Sequence, residues 1–190
     1  MVVAAILGYL VGSIPTAQIV ARRMGVDPLR QGDGNPGWWN MRSLVSERLA
    51  TVVLVGDVAK GVVAALIGLA LWGPWWVAWV AVFFAMIGHS FSAFAGLRGG
   101  KAILTWAGGM LVLSPIAVVL SLAAGAIVWV AFKTLPWGLR VATFAFPAIQ
   151  AFFEPRAEVF VALSMMAFIC SRFAASAISN RSKRRAVAAS

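Results

Sequence analysis

Polar positions along this chain are gathered into short clusters, and the stretches between them are almost wholly apolar. The runs Val2 to Ala21, Leu49 to Leu71 and Trp75 to Phe94 carry few charges and show neither a one-sided helical stripe nor strand alternation. A helix that is apolar all round has no face to give to water, so these runs predict membrane-spanning helices. Between Ala102 and Phe132 lies an apolar stretch broken by Ser114-Pro115. Two ideal spans of ~20 residues do not fit there, and a proline after serine predicts two short helices with a tight turn. The last runs, Val141 to Phe153 and Ala157 to Ser176, are separated by Glu154-Pro155-Arg156. The pattern predicts an all-α polytopic membrane protein of about seven short helices.

The first run has no basic segment before it and is followed by Arg22 and Arg23. Those flanks predict a first transmembrane helix ending at the cytoplasm instead of a cleaved signal peptide. With seven spans and the N-terminus outside, the sixteen Lys and Arg residues, Arg156 and Lys60 excepted, fall in four cytoplasmic segments. In that count Arg172 belongs with the C-terminal tail. Six spans place Lys133, Arg140 and the tail on the wrong side, so the positive-inside rule selects seven, with a cytoplasmic C-terminus. Residues 1–180 read as one membrane domain and residues 181–190 as a basic cytoplasmic tail in reach of anionic lipid.

Composition sharpens this picture. Hydrophobic residues make up 62% of the 190 and charged residues only 12%, about half the charged fraction of a soluble domain. A net charge of +10 is explained by loop residues that set topology, so no nucleic-acid partner is expected; the same charge suits anionic substrates. Cys170 is the single cysteine and His89 the single histidine, which argues against a disulfide and against a metal site. The cluster Trp72, Trp75, Trp76 and Trp79 reads as an interfacial belt at the outer turn between the second and third runs.

Three polar segments carry candidate chemistry. The first runs from Gly25 to Ser43 and includes Gly32-Asp33-Gly34-Asn35 and Asn40-Met41-Arg42-Ser43. Glycines that admit positive φ expose successive backbone N–H groups, and such a nest with a nearby arginine binds phosphate oxygens; the same residues also suit an ordinary turn. The second is Gly56-Asp57-Val58-Ala59-Lys60-Gly61, inside an apolar run. Asp57 and Lys60 share a helix face at i,i+3. An ionisable pair at that depth marks either function or an ion pair that fixes packing. The third is Gly88-His89-Ser90-Phe91, continuing to Arg98-Gly99-Gly100-Lys101-Ala102. Two glycines between two cations at the start of a helix make the strongest phosphate signal in the chain. His89 fits either a hydrogen-bonded structural role or a chemical one.

In this order and between these spans, the segments resemble the bacterial acyl-phosphate:glycerol-3-phosphate acyltransferases, the PlsY family. Gly12-Ser13-Ile14-Pro15-Thr16-Ala17 with Arg22 and the Gly32 to Asn40 loop is similar to that family's first motif. Gly56-Asp57 with Lys60-Gly61 is similar to the second, and Gly88 to Ala102 to the third, with Arg98 where the family usually has lysine. The likeness is close from Leu10 to Thr105 and rests on length and topology elsewhere.

The resemblance implies transfer of a fatty acyl group from acyl phosphate to the 1-hydroxyl of glycerol 3-phosphate, giving lysophosphatidic acid for phospholipid synthesis. It implies no cofactor and no metal, a place in the bacterial inner membrane, and active-site loops facing the cytoplasm. By position it gives catalytic roles to His89, Lys101 and Asn35. Contacts to substrate or phosphate would come from Asp33, Gly34, Asn40, Arg42, Ser43, Asp57, Lys60, Arg98, Gly99 and Gly100.

The chain departs from the family pattern at several places. Asp33 stands where the family has serine, Trp38-Trp39 replace smaller residues, and Ser43 stands where the family has arginine, with Arg42 one place early. The stretch from Lys133 to Arg140 lacks the family's third-loop pattern, and the tail lacks its His-x-x-Asn pattern, with Ser179-Asn180-Arg181 a loose echo. The alternative reading is therefore a catalytically silent relative that binds phosphate-bearing lipid or partners a membrane assembly. A transporter is disfavoured because no repeated halves appear.

Overall fold

The computed structural model describes residues 1–188, with the side chains of 180 and 183–188 outside the description. The expected tail residues Lys183, Arg184 and Arg185, and Asn180 of the loose tail echo, therefore have no described side chains. All regular structure among the described residues is helical: α1 (Val2–Gly12), α2 (Thr16–Arg23), α3 (Trp38–Leu44), α4 (Glu47–Ala70), α5 (Trp76–Ser90), α6 (Ile103–Leu113), α7 (Pro115–Phe132), α8 (Leu135–Gln150) and α9 (Arg156–Ala188), with a 3-10 turn at Ala93–Ala95. The protein is an all-α integral membrane protein.

The first apolar run is two helices, because Pro15 supplies no N–H and holds a non-helical backbone before Thr16. The carbonyl of Ser13 that this break strands is taken by the Ser92 hydroxyl at 2.5 Å. Backbone freed at a helix break within a membrane needs such a donor from a neighbouring element. The stretch from Ala102 divides as the serine–proline pair predicts: Pro115 begins α7, where its missing N–H costs nothing. At 11 residues, α6 rises only about 16 Å, half the hydrocarbon thickness.

By length and composition five segments can cross a membrane: 2–23, 47–70, 76–95, 115–132 and 156–179. The sixth expected run begins earlier than its apolar residues suggested, α8 taking in Leu135 to Arg140. The last helix continues past Ser176 and past the expected tail boundary to Ala188. Arg172, counted with the tail from sequence, lies in the stretch 156–179 of this helix, which can cross a membrane by length and composition. The reason is simple: nothing after Ser176 breaks a helix, since no proline or glycine follows before the end.

Helix α5 lies at the centre, against α1, α4, α6 and α9. A core of Trp79, Met86, Trp106, Met110, Phe146 and Met165 joins α5, α6, α8 and α9. Within it the Trp106 and Phe146 rings meet edge to face at 4.9 Å, a favoured aromatic geometry. This rigid block carries the loops after α1, α2 and α5 on one end.

Candidate active site

The site begins with a carboxylate buried in the bundle. Asp57, on α4, is 1% exposed. Its Oδ1 accepts the Lys60 ammonium at 2.7 Å and the Thr16 hydroxyl at 2.5 Å. Thr16 reaches it from the start of α2, and the absence of a side chain at Gly56 makes room: a Cβ there would come 2.7 Å from the threonine methyl. The His89 Nδ1, from the end of α5, lies 3.6 Å from the same oxygen, beyond hydrogen-bond distance. The carboxylate thus ties α2 to α4, with the end of α5 close by.

His89 transmits this order to the third segment. The Gly100 N–H donates to the His89 carbonyl at 3.2 Å. A Cβ at Gly100 would lie 2.5 Å from His89 Nε2, and one at Gly99 would collide with the His89 carbonyl. Only glycine lets this strand of backbone lie against the histidine. Leu97 and Ala102 hold left-handed backbone at φ 57° and 62°, a costly state for residues with a Cβ. The loop is thereby folded tightly before α6 opens at Ile103, and no side chain caps that helix.

Two hollows adjoin across Gly99 and Gly100. One is a crevice of about 10 Å³ lined by Thr16, Asp57, Lys60, His89, Arg98 and Ser92. That is at the lower limit for a single water molecule, which needs about 10–15 Å³. The other is a cavity of about 240 Å³ walled by Asp33, Asn35, Gly100, Lys101, Arg172 and Ser176 among others. The two hollows differ in room. The crevice is a packed ordering layer, and the cavity has room for a small phosphate ester.

The predicted residues divide accordingly. Asp33, Gly34, Asn35, Lys101, Gly99 and Gly100 line the cavity, while His89, Asp57, Lys60 and Arg98 line the crevice. Asn40, Arg42 and Ser43 line neither. Asn40 is buried and holds the first loop together: its amide donates to the carbonyls of Pro28 and Gln31 at 3.0 Å each, and its Oδ1 accepts the Asp33 N–H at 3.1 Å. Ser43 donates to the Asn40 carbonyl. Arg42 stacks on Trp38 at 5.2 Å and pairs with Glu47 at 3.4 Å. Asp33 also accepts the Asn35 N–H at 2.9 Å, which shapes the turn entering the cavity.

Among the described residues, Lys101 is one of two cations at the cavity wall, with Arg172. Partial burial pushes its ammonium below the ordinary lysine range, and the Asp33 carboxylate works in the opposite direction. Its Nζ also lies 4.4 Å over the Phe173 ring. Sequence reasoning gave no role to Thr16, which stood inside a recognised motif, or to Arg172. Its signal was an arginine within an apolar span, a position that marks function by default.

The fold and the cavity define a helical membrane protein with a glycine-walled, cation-bearing pocket at one end of its bundle. A family model described as glycerol-3-phosphate acyltransferase matches residues 2–181. The glycerol-3-phosphate acyltransferase of Symbiobacterium thermophilum is 36% identical over 146 residues, which are 74% of this chain and 73% of that protein. The crystal structure of PlsY (YgiH), an integral membrane glycerol 3-phosphate acyltransferase, in its glycerol 3-phosphate form, superposes with a TM-score of 0.82. It is 25% identical and the match covers 96% of this chain and 92% of that one. Its lysophosphatidic acid form gives a TM-score of 0.78 at 26% identity, covering 90% and 86%. The chain belongs to the glycerol-3-phosphate acyltransferase family.

Proposed function

We propose that this protein transfers a fatty acyl group from acyl phosphate to the 1-hydroxyl of glycerol 3-phosphate, and that it does so at the inner face of a bacterial cell membrane. The observation that carries the reading is the cavity in which Lys101 and the Gly99-Gly100 backbone meet the first-loop turn at Asp33 to Asn35. A phosphate ester needs a cation, approachable backbone and room, and these are the groups present there.

Acyl phosphate is an activated mixed anhydride, so the protein's task is to position and to stabilise developing charge. The acceptor hydroxyl attacks the acyl carbonyl carbon, the new ester C–O bond forms, and the bond to the phosphate oxygen breaks. The hydroxyl proton leaves with the departing inorganic phosphate. In this scheme Lys101 holds the acceptor's phosphate, Asn35 with Gly34 and Asp33 shapes its pocket, and Gly99 and Gly100 approach the anions. His89, Asp57 and Lys60 hold the glycine backbone in place, with Arg98 at the rim. Asn40, Ser43 and Arg42 act through the first loop.

A second reading, a silent relative that binds phosphate-bearing lipid, is favoured by one observation: a carboxylate, Asp33, lines a cavity meant for anions. The deciding experiment is phosphate release by the purified protein in lipid, given an acyl phosphate with and without glycerol 3-phosphate. Acceptor-dependent release that is lost in Lys101→Ala supports transfer. No release from a folded protein moves the assignment to the binding protein.

A further inference from the structure

Among the described charged residues that line the cavity, Arg172 is the one carried by a helix and not by a loop. It sits within the stretch 156–179 of α9, which can cross a membrane by length and composition, and is flanked in sequence by Cys170, Ser171, Phe173 and Ala174. Yet its side chain borders the same cavity as Lys101 and Asp33. Its guanidinium lies over the Phe91 ring at 4.5 Å, and its Nε is buried with no hydrogen-bond partner among the described residues.

Each of these features has a physical cost or consequence. An arginine on a membrane helix is expensive unless it faces protein or water and meets an opposite charge. A buried guanidinium N–H without an acceptor is costly in a protein interior. A guanidinium held over an aromatic ring keeps its N–H donors along its edge, a geometry suited to a planar or tetrahedral anion. Cavity-lining cations and carboxylates are Lys101 and Arg172 against Asp33, an excess of positive charge that an anion would balance.

We infer that Arg172, oriented by Phe91, holds the phosphate of the acyl phosphate donor, leaving Lys101 to the acceptor. This rests on the acyl-transfer reading above and divides its two phosphates between two cations. The donor is the substrate whose hydrocarbon chain stays in lipid while its phosphate reaches the cavity. Arg172 is carried by a helix that can cross a membrane by length and composition, whereas Lys101 and Asp33 lie on loops outside the apolar segments. The small residues Ala175 and Ser176, one turn further along α9, also line the cavity and leave space beside the arginine.

The test uses the full-length protein in nanodiscs of zwitterionic lipid, with a long-chain acyl phosphonate as a donor analogue that cannot transfer. Arg172→Gln is expected to weaken phosphonate binding by about tenfold or more, with Arg172→Lys recovering part of the loss. The KM for glycerol 3-phosphate should stay within about twofold, as for a charge not in contact with the acceptor. Phe91→Leu, which keeps the charge and removes the stack, should weaken phosphonate binding by a few-fold and serves if Arg172→Gln does not fold. Unchanged phosphonate binding in folded Arg172→Gln, or a loss confined to glycerol 3-phosphate, overturns the assignment. So does competition of anionic phospholipid with the phosphonate in wild type but not in Arg172→Gln, which makes Arg172 a lipid contact. If the wild-type protein transfers no acyl group, the catalytic reading fails while phosphonate binding still decides the role of Arg172.

Discussion

Lys60 places its ammonium 2.7 Å from Asp57 Oδ1, one helical turn away and within the bundle. Both side chains are almost fully buried, so neither charge has water to fall back on. Removing one partner strands the other, and for buried pairs that costs roughly 3–5 kcal/mol. Asp57→Ala and Lys60→Ala should therefore each lower the thermal unfolding midpoint sharply. The double replacement Asp57→Leu with Lys60→Met should recover most of the loss, because no uncompensated charge remains. Additive losses in the double variant would show that the pair is not coupled.

The Gly99-Gly100 backbone is the second test. A methyl at Gly99 collides with backbone, whereas at Gly100 it meets the ring of His89. Gly99→Ala should thus cut acyl transfer by about a hundredfold or more, the usual effect of displacing a site by an ångström. Gly100→Ala should be milder, and His89→Ala should partly restore it by removing the ring it strikes. Turnover of the three variants, with folding followed by size exclusion, checks this. Equal effects at the two glycines would contradict the geometry.

The ionisation of Lys101 has a definite sign. Burial lowers its pKa and Asp33 raises it, burial being the larger influence. In the proposed scheme the protonated form binds phosphate, so Lys101-dependent binding is expected at neutral pH and is lost on the alkaline side, earlier than for a free lysine. Asp33→Asn removes the raising influence and should move that alkaline limb to lower pH. Lys101→Arg, always charged, should move it up or abolish it. The pH profile of kcat/KM for glycerol 3-phosphate reads both shifts, and an unmoved limb in both variants would detach it from Lys101.

Asp33 lines the proposed phosphate cavity where the family pattern has a hydroxyl. A carboxylate in a half-open cavity repels an anion by on the order of 1 kcal/mol. Asp33→Ser should accordingly lower the KM for glycerol 3-phosphate by a few-fold to about tenfold, with kcat little changed. A rise in KM instead would mean that the carboxylate orients the acceptor.

Much of this protein was legible before any coordinates. The membrane class follows from runs too apolar to face water, and the division at Ser114-Pro115 follows from proline's missing donor. Asp57 and Lys60 were placed on one helix face by spacing alone, and their pairing is a local matter of helix geometry. The Arg98 to Lys101 segment announced itself through local backbone requirements, which a sequence states directly.

What only the tertiary structure decided is which distant segments meet. Nothing local says that Thr16 reaches Asp57 or that the Ser92 hydroxyl takes up the Ser13 carbonyl. Arg172 is the sharpest case. Along the chain it is one more basic residue ahead of a basic tail, consistent with a topological signal. Its position in the cavity follows from the uninterrupted course of α9 and from the packing of that helix against α5, which brings it over Phe91. Sequence fixes what each helix is made of, but the long-range packing of apolar surfaces sets their rotation and depth, and those two quantities determine which polar groups share a cavity.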